Sequence, residues 1–463
     1  MFVIGTGPAG QRAAVQAAKL GKRVGICERR DVVGGVCINT GTIPSKTFRE
    51  AVLYLTGFRQ RGIYGSSFTV KEDISMADLL FRCSYVIERE IDVIRHQMRR
   101  NRVQVVDGEA RFLDQHNLAV TGRQGTVSVQ ADHVVIAAGT TPAQPSGFEA
   151  VGNSVIDSDG ILGLSDIPRT MTIVGAGVIG IEYASIFAAL GSTVTIVERS
   201  NDLLDFADRE IVEALVYHMR NLDCIFRLGE EVEEVMSGPG QAVAKLKSGK
   251  TIVSELLLYS TGRVGATAAL DLPAVGLSAD ERGRLAVDEH YRTSQSHIYA
   301  VGDVVGFPSL ASTSMEQGRI AACHAFGLEY HSSPDHFPYG IYAVPELSMV
   351  GQTEQELTAA AVPYEVGLAR YREIARGNIL GDDTGMLKLL FHRETRRLLG
   401  VHIIGAEATE LVHIGQAVLA FDGTLEYFVN TVFNYPTLAE CYKVAALDCY
   451  NKLGPPPGET SAH

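Results

Sequence analysis

Apolar and polar positions along the chain fall into a unit that occurs twice. Phe2–Glu28 runs FVIGTGPAG, QRAAVQAAKLGK, RVGICE, which reads as a strand, a glycine turn, a helix and a second strand closing on an acid. Thr172–Glu198 runs TIVGAGVIG, IEYASIFAALGS, TVTIVE in the same order. In both copies the acid follows the third glycine by 18 positions.

Between the copies, Asp73–Arg102 reads as a long polar-faced helix and Val103–Val120 as short strands. His133–Ala138 reads as a buried strand ending at Gly139, and Pro142–Pro145 as a crossover linker. The apolar run Ile179–Leu190 predicts a buried helix although it carries Glu182. Tyr259–Gly306 contains STGR and then HIYAVGD, another apolar strand ending on an acid, Asp303. From Phe337 the pattern shifts to strands (LKLLFH, LLGVHIIG) followed by helices, and the tail GPPPGETSAH reads as disordered.

Each repeat fits a dinucleotide fingerprint. The first glycine permits the tight turn, the second lets backbone approach a pyrophosphate, and the third lets the helix pack on its strand. The helix N-terminus offers free N–H groups to phosphates, and the acid accepts hydrogen bonds from a ribose. A single glycine triplet is a weak signal, but two in full strand–turn–helix–strand context imply two bound dinucleotides. The expected fold is α/β, with two Rossmann-like dinucleotide-binding domains and a C-terminal α+β domain. Expected boundaries are 1–147 for the first domain, 148–265 for the second, 266–336 for a return to the first, 337–453 for the last, and 454–463 for the tail.

Composition narrows the classes. A length of 463 residues suggests two to four domains. A net charge of −13 argues against a general nucleic-acid binder, and Arg95, Arg99, Arg100 and Arg102 read as a solvated helix end. Seven scattered cysteines suit a reducing compartment, and no metal site is expected. No apolar run reaches the length of a membrane span. Met1 opens almost directly onto a strand, so a cytoplasmic protein without a leader is expected. The first strand, Met1–Ile4, is short enough to suggest an upstream start or a frayed edge.

The segments GGVCINTGTIPSK (34–46), YAVGD (299–303) and NYPTLAE (434–440), with the two fingerprints and Glu182, resemble the pyridine nucleotide–disulfide oxidoreductases. This is the group of glutathione reductase and dihydrolipoamide dehydrogenase, and the likeness covers nearly the whole chain. The resemblance implies FAD on Gly5, Gly7 and Gly10 and a nicotinamide nucleotide, NAD(H) or NADP(H), on Gly175, Gly177 and Gly180. It also implies a homodimer formed by the last domain, or a higher homo-oligomer.

Two parts of the disulfide machinery are missing. The family's signature carries two cysteines five positions apart, whereas Cys37 here faces Thr42. Without a partner thiol, dithiol exchange loses its internal acceptor. The family's acid–base histidine is replaced by Tyr435, a poor proton shuttle near neutrality, while Pro436, Thr437 and Glu440 remain. NTGTIPSK with FNYPTLAE resembles the soluble, FAD-containing pyridine nucleotide transhydrogenases of this superfamily. Such enzymes pass hydride from NADPH through FAD to NAD⁺ by a ping-pong route.

The resemblance also assigns individual roles. Lys46 and Glu182 match a buried ion pair beside the flavin, where a fixed positive charge stabilises the reduced ring. Glu28, with Arg29 beside it, matches the FAD ribose partner, and Asp303 the partner of the ribityl hydroxyls. Gly34, Gly35 and Cys37 are expected along the FAD, with Cys37 a packing thiol. Gly139 and Gly262, in glycine turns after strands, join the cofactor-binding set.

Glu198 favours NAD by bonding both ribose hydroxyls, while Arg199 either welcomes a 2′-phosphate or points to solvent. His402 and His413 read as packed structural residues. Tyr435 and Glu440 are expected to shape the partner subunit's pocket. A quinone or dye reductase shares every flavin feature, and a nucleotide-sensing scaffold is the alternative outside enzymes.

Overall fold

The computed structural model describes residues 1–143, 154–330 and 336–455. Its first sheet is parallel, in the order Ile298–Ala300, Val134–Ile136, Phe2–Ile4, Gly25–Glu28, Gln104–Asp107. Such a sheet is covered on both faces, which is why all its strands but the edge strand Gln104–Asp107 are short, mostly buried runs. Phe2–Ile4 is wholly buried and central rather than a frayed edge, because strands pair with it on both sides.

The second sheet repeats this arrangement with Ile225–Leu228, Thr193–Glu198, Thr170–Val174, Leu256–Tyr259 and Val155–Asp157. Each sheet also carries a three-stranded antiparallel meander, 109–130 in one and 232–254 in the other. The duplication therefore extends from the fingerprint to a whole domain. In both sheets the chain order reverses beside the fingerprint strand, which opens a crevice at the strands' carboxyl ends.

A two-stranded ribbon, Thr140–Pro142 against Arg263–Gly265, joins the two domains. Pro142 thus stands in a strand where a linker was expected. Pro145 and all but the first two residues of the tail lie outside the described residues.

The polar-faced helix spans Met76–Arg100 and starts at a reciprocal cap between Ser75 and Asp78. Met76, Leu79, Cys83, Ile91, Ile94 and Met98 form its buried stripe, and the four arginines at its end are exposed. The C-terminal domain is a five-stranded antiparallel sheet, in the order Tyr339–Ile341, Leu347–Gly351, Leu398–Ile404, Met386–His392, Tyr364–Arg370. It is packed by the helices Ala408–Ala420 and Glu440–Leu453.

One apolar core crosses all three domains, from Phe48 and Leu79 through Ile173 and Phe187 to Ile341 and Leu347. It brings the helices Thr42–Leu55 and Val178–Ala189 against the turn that follows strand Tyr339–Ile341. Val178–Ala189 is apolar nearly all round, so its one acid must be buried too. No helix among the described residues is long and apolar enough to cross a membrane.

Candidate functional site

The two fingerprint loops have the same local physics. Gly5 and Gly175 hold φ of +103° and +98°, where only glycine is unstrained. A methyl group at Gly10 would come within 1.9 Å of the Gly5 carbonyl oxygen, and one at Gly180 within 2.0 Å of the Gly175 oxygen. Helix and strand therefore meet through bare backbone in both copies. Gly7 and Gly177 instead face open space, with nothing within 4 Å of an added Cβ. The helices that start at Pro8 and Val178 have no side-chain cap, which leaves their first N–H groups free for an anion.

The acids close each loop. Glu28 accepts from Thr6 N–H at 3.2 Å, from the Thr6 hydroxyl, and from Arg30 N–H at 3.1 Å. Glu198 accepts from Ala176 N–H at 2.8 Å and Ser200 N–H at 3.0 Å. Both carboxylates thus tie the glycine loop to the turn after the second strand, a role their spacing alone did not suggest. Arg29 lies across from Glu109 at 4.0 Å, Arg30 reaches Asp159 at 3.6 Å, and Arg199 is exposed.

Two cavities meet at this junction. The first is lined by Gly5, Gly7, Glu28, Arg29, Gly35, Cys37, Gly139 and Asp303. The second, of about 730 Å³, is lined by Lys46, Val178, Ile179, Glu182 and Tyr342 among others. Val36, Thr42, Thr140 and Asp303 line both, so the space is continuous from the first fingerprint to the helix of the second. Gly34 holds φ +109° and its N–H donates to the Thr6 hydroxyl oxygen at 2.9 Å, which packs GGVC against the first loop. Gly262 lines neither cavity and sits in the turn into the ribbon, where its carbonyl accepts from Ala143 N–H.

At the meeting point stands an ion pair. Lys46 Nζ lies 2.8 and 2.7 Å from the two oxygens of Glu182, and Glu182 is 3% exposed. Tyr342 N–H donates to Glu182 Oε1 at 2.9 Å, and the Tyr342 ring lies 5.0 Å from the Lys46 ammonium. Across the cavity, burial raises the pKa of Asp303 against the lowering influence of the Arg263 guanidinium. Arg263 in turn donates to the Thr140 hydroxyl and carbonyl at 2.9 and 3.0 Å.

Residues 1–318 match the family described as pyridine nucleotide-disulphide oxidoreductase, and residues 337–446 match its dimerisation domain. The chain belongs to the pyridine nucleotide-disulphide oxidoreductases. Within this family it is 57% identical over 455 residues to the soluble pyridine nucleotide transhydrogenase of Mycobacterium bovis BCG, covering 98% of this chain and 97% of that one. It is 46% identical over 459 residues to the protein of the same name from Yersinia pestis, covering 98% of each.

Among solved structures, the HOCl-induced flavoprotein disulfide reductase RclA of Escherichia coli superposes with a TM-score of 0.87 at 28% identity. That match covers 96% of this chain and 99% of RclA. LpdA of Mycobacterium tuberculosis gives 0.89 at 26%, covering 96% and 98%.

For a member of this family the thiol chemistry is incomplete. All seven cysteines are free. Burial pushes the Cys37 thiol up in pKa and so away from the reactive thiolate, with Thr42 where a second sulfur would stand. Tyr435 is 68% exposed in the protomer, and Glu440 keeps one buried carboxylate oxygen without a partner among the described residues.

His402 is fully buried and held by the Gln352 carbonyl at 2.9 Å, as expected of a packed residue. His413 departs from that expectation. It is exposed and lines the second cavity, because it lies on the outer face of helix Ala408–Ala420. Tyr342, Thr409 and Arg263 also reach the cavities and were missed by the sequence reading. The only available signal for Arg263 was its place in STGR, and Tyr342 and Thr409 carried none.

Proposed function

We propose that this chain is a FAD-dependent pyridine nucleotide transhydrogenase. It carries out NADPH + NAD⁺ → NADP⁺ + NADH, in which one hydride moves and no proton is gained or lost. The observation that carries this reading is the Lys46–Glu182 pair standing between two nucleotide cradles in a chain that lacks the partner thiol. Its 57% and 46% identity to soluble pyridine nucleotide transhydrogenases supports it.

The first groove fits FAD. The open space over Gly7, the uncapped helix at Pro8 and the buried acid Glu28 suit an adenosine diphosphate. The groove then continues past Gly139 and Asp303 toward Lys46, as an extended cofactor requires. Bound there, FAD would supply the hydride acceptor and donor.

The chain's own residues would then bind and orient. Backbone N–H groups at Gly7 and Pro8's helix would hold the pyrophosphate, Glu28 a ribose, and Asp303 the hydroxyls of the linking sugar chain. The Lys46 ammonium would offset negative charge gained by the ring system, and Glu182 would keep that ammonium in place. Gly175, Gly177 and Gly180 would hold either nicotinamide nucleotide in turn, with Glu198 fixing the loop. Cys37 would pack against the ring. A hydride step calls for no proton shuttle, which is consistent with an exposed tyrosine at position 435.

A homodimer built on residues 337–446 would complete each site from the partner subunit. The deciding experiment follows NADPH-dependent reduction of thio-NAD⁺ by the purified yellow protein with no other acceptor present. Parallel double-reciprocal lines are expected. Flavin reduction without transfer, together with turnover on quinones, would overturn the assignment in favour of a diaphorase-type reductase.

A further inference from the structure

A lysine side chain has many rotamers, so holding its ammonium at one point takes contacts beyond a single opposing carboxylate. In this chain the extra hold comes from a single turn of the C-terminal domain, 342–346. Tyr342 N–H binds Glu182 at 2.9 Å, and the Ala343 carbonyl takes Arg49 Nε at 2.9 Å. Val344 N–H binds the Ser185 hydroxyl at 3.0 Å, and Glu346 accepts from the Thr409 hydroxyl at 3.1 Å. Arg49 lies one turn beyond Lys46 on helix Thr42–Leu55, and Ser185 lies three residues beyond Glu182 on helix Val178–Ala189.

The turn thus grips both helices of the ion pair at once. Within it only Tyr342 touches both charges, Glu182 by its backbone and Lys46 by its ring. Its hydroxyl faces Thr409, which leads to Glu346, a carboxyl 5% exposed whose pKa burial raises.

We infer that Tyr342 is a positioning residue for hydride transfer, holding the Lys46 ammonium at one point on the cavity wall by a cation–π contact. The inference rests on the reading of Lys46 given above. Loss of the ring frees the ammonium and lets water screen it, which weakens its effect on the bound cofactor.

The test is a double-mutant cycle on the FAD-loaded protein, with Tyr342→Leu, Lys46→Met and both together. It reads the two-electron potential of the bound flavin and the kcat and KM for NADPH. Tyr342→Leu is expected to lower the potential and to slow flavin reduction about tenfold, with KM for NADPH moved less than threefold. Tyr342→Phe, which keeps the ring, should behave like the parent. In the Lys46→Met background, Tyr342→Leu should change nothing further.

Pentafluorophenylalanine at position 342 keeps the packing while reversing the ring's charge distribution, and should reproduce the effect of Tyr342→Leu even if leucine compromises folding. A full, additive shift in the Lys46→Met background would overturn the inference, as would a potential unmoved by the fluorinated ring. If Lys46→Met itself left the potential unchanged, the role of Lys46 would fall first, which separates the two failures.

Discussion

Valine at position 177 tests the second cradle without touching the fold. Gly177 sits at φ −69° and ψ −177°, a conformation open to any residue, and an added Cβ meets nothing within 4 Å. Folding should therefore be indifferent to the change. The branched side chain would project over the uncapped start of helix Val178–Ala189, where a pyrophosphate has to come within hydrogen-bonding distance of backbone N–H groups.

Displacing the phosphate by an ångström or more breaks charge-assisted bonds worth about 1.5–3 kcal/mol each. Loss of two such bonds costs about 3–6 kcal/mol, which weakens binding about 10²- to 10⁴-fold. The assay is anaerobic titration of the yellow Gly177→Val protein with NADPH, following flavin bleaching. Unaltered FAD content and melting temperature are expected, with the midpoint displaced by at least two orders of magnitude. A midpoint within threefold of the parent would refute the assignment of this loop. Gly180→Ala cannot serve, because its methyl would meet the Gly175 oxygen at 2.0 Å and disturb the domain itself.

Three other outcomes follow from buried and half-buried groups. Lys388 is fully buried with Nζ 2.9 Å from both Asp208 and Glu210 and a third bond to Glu354. These three carboxylates, grouped closely enough to hold a metal ion, converge on the single Lys388 ammonium instead. Lys388→Met should destabilise the protein by about 3–5 kcal/mol by stranding the Asp208 charge, with partial recovery on adding Asp208→Asn; an unchanged melting temperature would contradict this.

Burial lowers the pKa of His402, so its unfolded form takes up a proton first and stability falls as pH drops below about 6.5. His402→Gln should flatten that dependence by at most about 1.4 kcal/mol per pH unit, and an identical melting profile from pH 7 to 5 would count against it. Cys37→Ser should retain transhydrogenation within about threefold, since the thiol is protonated and lacks a partner. Complete loss of turnover with FAD still bound would give Cys37 a chemical role.

Both glycine loops with their closing acids were legible along the chain. Their chemistry is local: a glycine at positive φ, a glycine facing open space and a glycine under a carbonyl all fall within six residues, and the closing acid lies 18 further on. Glu182 was legible for a related reason, because an acid on a helix that is apolar all round has to be buried and partnered. The missing second cysteine and histidine of the family's motifs were legible as well, in Thr42 and Tyr435.

What surrounds the ion pair emerged only in the folded protein. Tyr342 lies 296 positions from Lys46 in sequence, on a turn of a third domain whose residues form no periodic motif, and only the core shared by the three domains brings it there. The misreading of His413 has the same origin, since an apolar stretch reveals that a helix is packed but not which of its faces meets the cavity. Pro142 became a ribbon strand because Arg263–Gly265 happened to supply its partner across the domain junction. Local backbone physics is written in adjacent residues, whereas side-chain company at a domain junction depends on how separately formed elements pack.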